Sequence, residues 1–508
     1  MKRIGVFRPL SIFAVSSAWF SFLISWTGFI DPDAFYHAKA SLLLWQHGPL
    51  MTFPWLDLTL FGTHFADLHF LFHVLIAPCI AFFGMNNGIR IATVLLSALF
   101  VTIFDACIRW LRVRWSIVWT TSLLFSFGLV LRLLLGKATP LALLWFIFGL
   151  TAAWKRRPWL VAFAAFGFAL SHGGWLYLAF AVPLLLVGDV LFSRVVEEKP
   201  FVAALFGSLW KESVAGFVGG FVGLIVHPNV SGVFQMAWTQ VVTIGLGTPF
   251  EHVNLGNEWL PADPGSLLAT MAPWIIAALL GIPALAFAVR RPLDQACARR
   301  VVAFGFVLAA FVALTLKSQR VIEYLVPVSV LWCAALWSLV DAQKLRKEKR
   351  LFFLLVLCFV VLFAKQVWSV WDSFHPARFP DAAYTKTLSV ISSIASPGER
   401  VFHTSWDEFP MLFAADDRLK YIAGLDPTFL YVASSTLSDT YRDVTLAAAS
   451  TTSDDVFRLV HDQLQSRFIF VSKKNHANFL NLVLKDTRFV QIADESDSAA
   501  FLVLDHRP

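Results

Sequence analysis

Charged residues are scarce in this 508-residue chain: 15% of positions are Asp, Glu, Lys or Arg, while 57% are hydrophobic. A soluble protein of this length would divide into several domains with about a quarter of its residues charged. With 50 Phe, 20 Trp and a mean hydropathy of +0.67, an all-soluble enzyme and a disordered chain are excluded. Cysteine is scarce too. Cys79, Cys107, Cys297, Cys333 and Cys358 all precede residue 371, with no CxxC spacing, which excludes a disulfide framework and a cysteine zinc site. No GxGxxG or GxxxxGK[ST] pattern occurs, so nucleotide binding has no support. There is no internal repeat and no low-complexity tract. What remains is the composition of a polytopic membrane protein.

Residues 1–370 carry 28 basic and 16 acidic side chains, and residues 371–508 carry 13 and 18. The basic excess sits in short loops between apolar runs, so it reads as a topology signal and implies no nucleic-acid partner. About eleven spans are expected, at 10–30, 89–108, 115–134, 139–154, 158–171, 175–192, 213–228, 266–289, 301–316, 321–340 and 351–370, each close to the length that crosses about 30 Å of hydrocarbon. The first follows a basic stretch, as in a signal peptide, but is long enough to span and lacks a small-residue cleavage site, so it reads as a retained helix.

One further run, Leu68–Phe83, holds His69, His73 and Pro78. If it does not span, 21 Lys and Arg fall inside and six fall outside; if it does, 18 of the 21 move outside. The positive-inside rule therefore places it at, or dipping into, the outer leaflet. The N-terminus is then cytoplasmic, and loops Asp31–Asp67 and Pro228–Pro264 face outward with everything after Val370. The expected location is the bacterial inner membrane, with the tail periplasmic or extracellular.

The division is a membrane domain at 1–370 and an extracytoplasmic domain at 371–508. In the tail the apolar runs shorten to strand length at 400–405, 420–423, 468–472, 489–492 and 500–504, with helix-like stretches at 382–394, 454–464 and 476–484. This alternation predicts a small α/β domain with its own core.

Several polar residues stand at the expected outer face. Asp31-Pro32-Asp33 follows the first span, and Tyr36, His37 and Lys39 come next. The pair is either a helix stop with Asp33 as N-cap, or a hard-metal or general-base carboxylate site. The loop Pro228–Pro264 contains Glu251, His252 and Glu258 and no Lys or Arg in its 37 residues; it is a solvated connector or a lid over a site. Arg320 either snorkels to headgroups or clamps a phosphate. His64, Asp67, His69 and His73 include an i, i+4 histidine pair of the kind zinc uses, but without HExxH, and histidines are at home at interfaces. In the tail, Trp406-Asp407 suits docking of carbohydrate or peptide, or is a core tryptophan beside a turn aspartate.

Taken in order, these residues resemble the GT-C superfamily of membrane glycosyltransferases, and within it the catalytic subunit of oligosaccharyltransferases. Ile30-Asp31-Pro32 with Tyr36-x-Ala38 is similar to the family's pattern after its first span, which makes Asp31 the metal-binding candidate. Gly48 followed by Phe53-Pro54-Trp55-Leu56-Asp57 resembles the stretch that comes next. Thr248-Pro249-Phe250-Glu251-His252 is similar to the Ser-x-x-Glu-His pattern of the family's long outer loop, and Arg320 with Pro327 to its donor-phosphate arginine. Trp406-Asp407 keeps part of the Trp-Trp-Asp acceptor motif. Where the family has a second acidic motif, this sequence has Gly136-Lys137 and no carboxylate, so Asp33 or Glu251 would have to complete a metal shell.

The resemblance implies an inverting glycosyltransferase that uses a polyprenyl-phosphate-linked sugar donor and a divalent cation, Mg or Mn. Asp31 and Glu251 would be catalytic, and Asp31, Asp33 and Glu251 would hold the metal. Arg320 would bind donor phosphate, Trp406 and Asp407 would bind acceptor, and His37, Asp57, His252 and Glu258 are further candidates. The acceptor would be a glycan, lipid or protein. The rival readings are a transporter or assembly protein on the same scaffold, and a lipid-A or phosphate-group transferase of similar layout.

Overall fold

A computed structural model describes residues 4–244, 260–289, 294–347, 349–374 and 379–504. Helices dominate the first three quarters of the chain. They begin with α1 (Ile4–Leu23), α2 (Asp33–His47), α3 (Phe70–Phe83), α4 (Met85–Trp110), α5 (Ser116–Leu124), α6 (Phe127–Leu133), α7 (Thr139–Trp154), α8 (Pro158–Ser171) and α9 (Leu176–Val195). Further helices follow at Trp210–Val226, Pro264–Ala288, Gln295–Lys317, Ile322–Trp337 and Lys349–Phe374. Each apolar run expected to span has one of these helices at its centre, but the first, 10–30, outlasts α1, which ends at Leu23 and is followed by β1, and 115–134 falls on the pair α5 and α6 bent by 67°. Among the described residues five helices are long and apolar enough to cross a bilayer alone, and six if the bent pair is one span. This is a multi-pass membrane fold. The 14-residue α3 is about 21 Å long at 1.5 Å per residue, shorter than the hydrocarbon core.

Small residues and paired charges hold the bundle. Trp210–Val226 lies so close to α8 that a Cβ on Gly219 would stand 2.1 Å from the Ala162 carbonyl oxygen; only glycine permits that approach. The buried Asp105 accepts from Arg109 at 2.8 Å, Arg8 Nε at 3.1 Å and Thr120 at 3.1 Å. Asp189, also buried, pairs with Arg156 at 2.9 Å and with Arg299. Both of these buried carboxylates therefore have cationic partners, as burial of charge demands.

The tail contains a five-stranded mixed sheet. Strand β1 (Gly28–Phe29) and β2 (Phe379–Pro380) form a separate antiparallel pair, and the sheet consists of β3 (Arg400–His403), β4 (Lys420–Tyr421), β5 (Phe468–Ser472), β6 (Phe489–Asp494) and β7 (Ser498–Val503). Its order is β4-β3-β5-β7-β6, with β4, β3 and β5 parallel and the last two pairings antiparallel. All five strands coincide with the short apolar runs of the tail. Successive residues alternate between two cores: Phe402, Ile469 and Val471 pack under tail helices, while Val401, Phe468 and Phe470 share a cluster with Phe53, Phe61 and Phe65 of the segment between α2 and α3.

That shared cluster docks the tail onto the membrane domain. Phe61 meets Phe429 with ring centroids 4.6 Å apart, and Trp55 meets Phe413 at 4.9 Å. Fully burying one Phe is worth about 1.5–3 kcal/mol. Polar stitches surround the aromatic ones. Asp57 takes Arg400 through both oxygens at 3.0 Å and Lys420 at 2.8 Å. β1 pairs with β2 in the register Gly28 to Pro380. The buried Arg90 donates to Ser25 O at 2.9 Å, stacks 4.3 Å from the Phe29 ring centroid and pairs with Asp381.

Candidate active site

Between the helices and the tail lies a cavity of about 950 Å³. Asp31, Asp33, His37, Arg320, Trp406 and Asp407 all line it. Six candidates taken from stretches up to 376 residues apart thus share one chamber. Asp57 is not among its lining residues; its carboxylate belongs to the Arg400–Lys420 anchor, where burial opposes ionisation but Lys420 and Arg400 outweigh it and lower its pKa. Glu251, His252 and Glu258 lie outside the described residues.

The acidic end is built by the start of α2. Asp31 Oδ1 accepts the backbone N–H of Asp33 at 2.9 Å, and Phe35 N–H closes the first turn on Pro32 O at 3.0 Å. Both carboxylates then point at one cation: Lys137 Nζ lies 2.9 Å from Asp31 Oδ2 and 2.8 Å from Asp33 Oδ2. Lys137 reaches them because the loop between α6 and α7 passes hard against α2. Gly136 sits at φ +74°, and a Cβ there would stand 2.8 Å from the Ala34 Cβ. Glycine is required at this position for both reasons.

A metal fits this donor set poorly. Among the described residues no group of three or more His, Cys, Asp or Glu is placed to hold an ion. The two carboxylates expected to do so already accept from an ammonium, and the third expected ligand, Glu251, is not described. A divalent cation would have to displace Lys137 and find its remaining ligands elsewhere.

Cations and histidines fill the next layer. Arg320 lies in the turn Gln319–Val321 that opens the helix Ile322–Trp337. Beside it, Arg132 donates to the buried Glu323 at 2.9 Å. His73 Nδ1 is 2.7 Å from Asp67 Oδ2, and His73 Nε2 is 2.8 Å from His37 Nδ1. His69 stacks on His172 with ring centroids 5.3 Å apart and 3° between planes. Burial, then the neighbouring His69 and His73, lowers the His37 pKa well below the usual histidine range. Burial and His73 bring His69 down to about 3. Both imidazoles are therefore neutral at physiological pH.

The tail end of the cavity is shaped by a turn after β3. The buried Glu408 carboxylate accepts from Thr404 N, Ser405 N and Thr404 Oγ1 at 2.9, 2.9 and 2.7 Å. That arrangement presents Trp406 and Asp407 to the chamber, both half-buried. Burial raises the Asp407 pKa.

Sequence reasoning missed three features. Lys137 registered only as a missing carboxylate, whereas it bridges the two that are present. The link between His37 and His73 spans 36 positions, and no local spacing announces it. His172 drew no notice in an apolar stretch, although a lone histidine followed by two glycines was the available signal.

No family model and no curated protein matches this chain in sequence. Among solved structures it is similar to the Archaeoglobus fulgidus oligosaccharyltransferase carrying an acceptor peptide, at 11% identity and TM-score 0.60, over 97% of this chain and 74% of that one. It is similar to ArnT from Cupriavidus metallidurans bound to undecaprenyl phosphate, at 11% identity and TM-score 0.60, over 97% of both chains. It also resembles the mycobacterial arabinofuranosyltransferase AftD at 12% identity and TM-score 0.59, over 98% of this chain and 41% of that one. All three are GT-C glycosyltransferases, and the chain has their fold.

Proposed function

We propose that the protein is a membrane glycosyltransferase that moves a sugar or glycan from a polyprenyl-phosphate-linked donor to an acceptor at the outer membrane face. The observation that carries this reading is the shared chamber: paired carboxylates on a lysine, an arginine at a helix start and a tail Trp–Asp pair converge there. Similar folds carry the same two classes of ligand, a polyprenyl phosphate in ArnT and an acceptor peptide in the archaeal oligosaccharyltransferase. The distribution of basic residues supports a cytoplasmic N-terminus and an outward tail, with the bacterial inner membrane as the location.

In this reading Arg320 and Lys137 supply positive charge where the donor phosphate leaves. Negative charge grows on that phosphate as the anomeric C–O bond breaks, and cations already in place stabilise it without reorganisation. Asp31 and Asp33 hold Lys137 in position, so their removal would act through the ammonium. Trp406 and Asp407 bind the acceptor on the opposite side, and attack from there inverts the anomeric centre. The expected Mg or Mn would supply the same charge if Glu251 joined Asp31 and Asp33, but no step here depends on it.

The test is binding of undecaprenyl phosphate to the full chain in nanodiscs, read by native mass spectrometry. Arg320→Ala should weaken binding about tenfold or more, the loss of a charged hydrogen bond to phosphate. Equal binding by wild type and Arg320→Ala would remove the phosphate clamp from the account.

A further inference from the structure

We propose that Asp67, His73 and His37 form a proton relay whose cavity end, His37 Nε2, is the general base that deprotonates an acceptor hydroxyl. The inference rests on the glycosyltransferase reading and deepens it, because it assigns the acceptor to the alcohols.

The tautomers follow one another along the chain of contacts. Asp67 Oδ2 can only accept, so His73 Nδ1 donates to it at 2.7 Å. With His73 neutral, its Nε2 is bare and accepts from His37 Nδ1 at 2.8 Å. A neutral imidazole has one N–H, so His37 Nε2 carries a lone pair. Among the described residues that nitrogen has no hydrogen-bond partner, and it is not one of the sealed polar atoms, while His37 lines the cavity.

The relay is rigidly built. His37, His73 and Asp67 are at most 7% exposed. Asp67 Oδ1 accepts the His69 backbone N–H at 3.0 Å, and Asp67 O accepts from His227 Nε2 at 2.9 Å. His227 Nδ1 in turn accepts from Asn229 N at 3.1 Å. Of the other bases that line the chamber, Asp31 and Asp33 already accept from Lys137; Asp407, Asp426, His69, His172 and His476 line it as well.

The step balances. The acceptor oxygen forms a bond to the anomeric carbon as its proton passes to His37 Nε2. The anomeric C–O bond breaks, and its electron pair leaves with the polyprenyl phosphate. The imidazolium is stabilised through His73 by Asp67, and the proton then returns to water. An amide nitrogen acceptor gains little from such a base; a hydroxyl gains about 10²–10⁴-fold from a base matched to the working pH, and the lowered pKa of His37 puts this one at the lower end of that range.

Asp67→Asn is a sharp variant. The Asn oxygen must face the His69 N–H, which puts the amide N–H₂ against His73 Nδ1. His73 then carries its proton on Nε2 and donates to His37 Nδ1, so His37 Nε2 becomes N–H and loses its lone pair. A shape-preserving change thereby removes the base without emptying the site.

The experiment uses membranes from cells producing the full chain, with their own donor and acceptor, and quantifies the glycosylated product by mass spectrometry. Binding of undecaprenyl phosphate is measured in parallel. His37→Ala and Asp67→Asn should each lower product formation by about 100-fold or more with lipid binding unchanged, and added imidazole should raise the rate of His37→Ala. Rates within about threefold of wild type for both variants, while Asp31→Ala is inactive, would make the relay mere packing and leave the glycosyltransferase reading intact. A loss that imidazole does not relieve and that comes with lost lipid binding would overturn the relay as well. A product linked through nitrogen would remove the hydroxyl assignment. Wild-type membranes that form no such product would overturn both readings.

Discussion

Replacing Lys137 by Met keeps an unbranched side chain, one atom shorter, and removes its charge. Its Nζ stands 2.9 Å from Asp31 and 2.8 Å from Asp33, whose side chains are 20% and 23% exposed. At an effective dielectric constant of about 20, each pairing is worth about 6 kcal/mol before desolvation is subtracted. Two carboxylates would then face one another with no ammonium between them, and the donor phosphate would meet that negative charge. Losing one such preorganised electrostatic group costs about 10²–10³ in rate, or about 2.7–4 kcal/mol. The assay is product formation in membranes at equal protein levels, with and without EDTA and with added Mn²⁺. Wild type should be indifferent to EDTA, Lys137→Met should be at least about 100-fold slower, and Mn²⁺ should partly restore the variant because it can fill the place of the ammonium. If Lys137→Met keeps wild-type activity, or EDTA abolishes the activity of wild type, the lysine is not the charge that the reaction uses.

Two further outcomes follow from the interface and the tail. Asp57→Asn breaks the pairs with Arg400 and Lys420 and should cost about 1–2 kcal/mol of tail docking, seen as faster hydrogen exchange in 400–421. Because the folded-state pKa of Asp57 is lowered, its contribution is complete above the ordinary carboxylate value of 3.8 and fades as pH falls through the folded value; wild type should lose docking there while Asp57→Asn shows no such dependence. Trp406→Ala should raise the apparent KM for acceptor about tenfold with little change in kcat, and a kcat defect at unchanged KM would remove Trp406 from acceptor binding.

What was legible in the sequence was what local pattern encodes. The apolar runs appear as helices and the five short runs of the tail as β3 to β7, because periodicity over five to twenty residues decides both. Asp31, Asp33, His37, Arg320, Trp406 and Asp407 stood out as polar residues at apolar boundaries or strand ends, and one chamber collects them. Pairings across the chain were not legible. Nothing near Asp57 indicates Arg400, nothing near Gly28 indicates Pro380, and His37 gives no sign of His73. Lys137 shows the limit most plainly: a resemblance directs attention to the carboxylate that is absent, while the cation that meets Asp31 and Asp33 depends on how Gly136 packs on Ala34. The bend between α5 and α6 was likewise hidden in a continuous apolar run.

The most direct measurement compares lipid-linked and surface glycans in a deletion strain carrying wild type or Asp31→Ala at equal membrane levels. Deletion should remove a glycan, wild type should restore it and Asp31→Ala should not, since Lys137 then loses one of its two anchors at the start of α2. Restoration by Asp31→Ala to the level of wild type would contradict this, reducing Asp31 to a helix stop and leaving the chamber without its proposed chemistry.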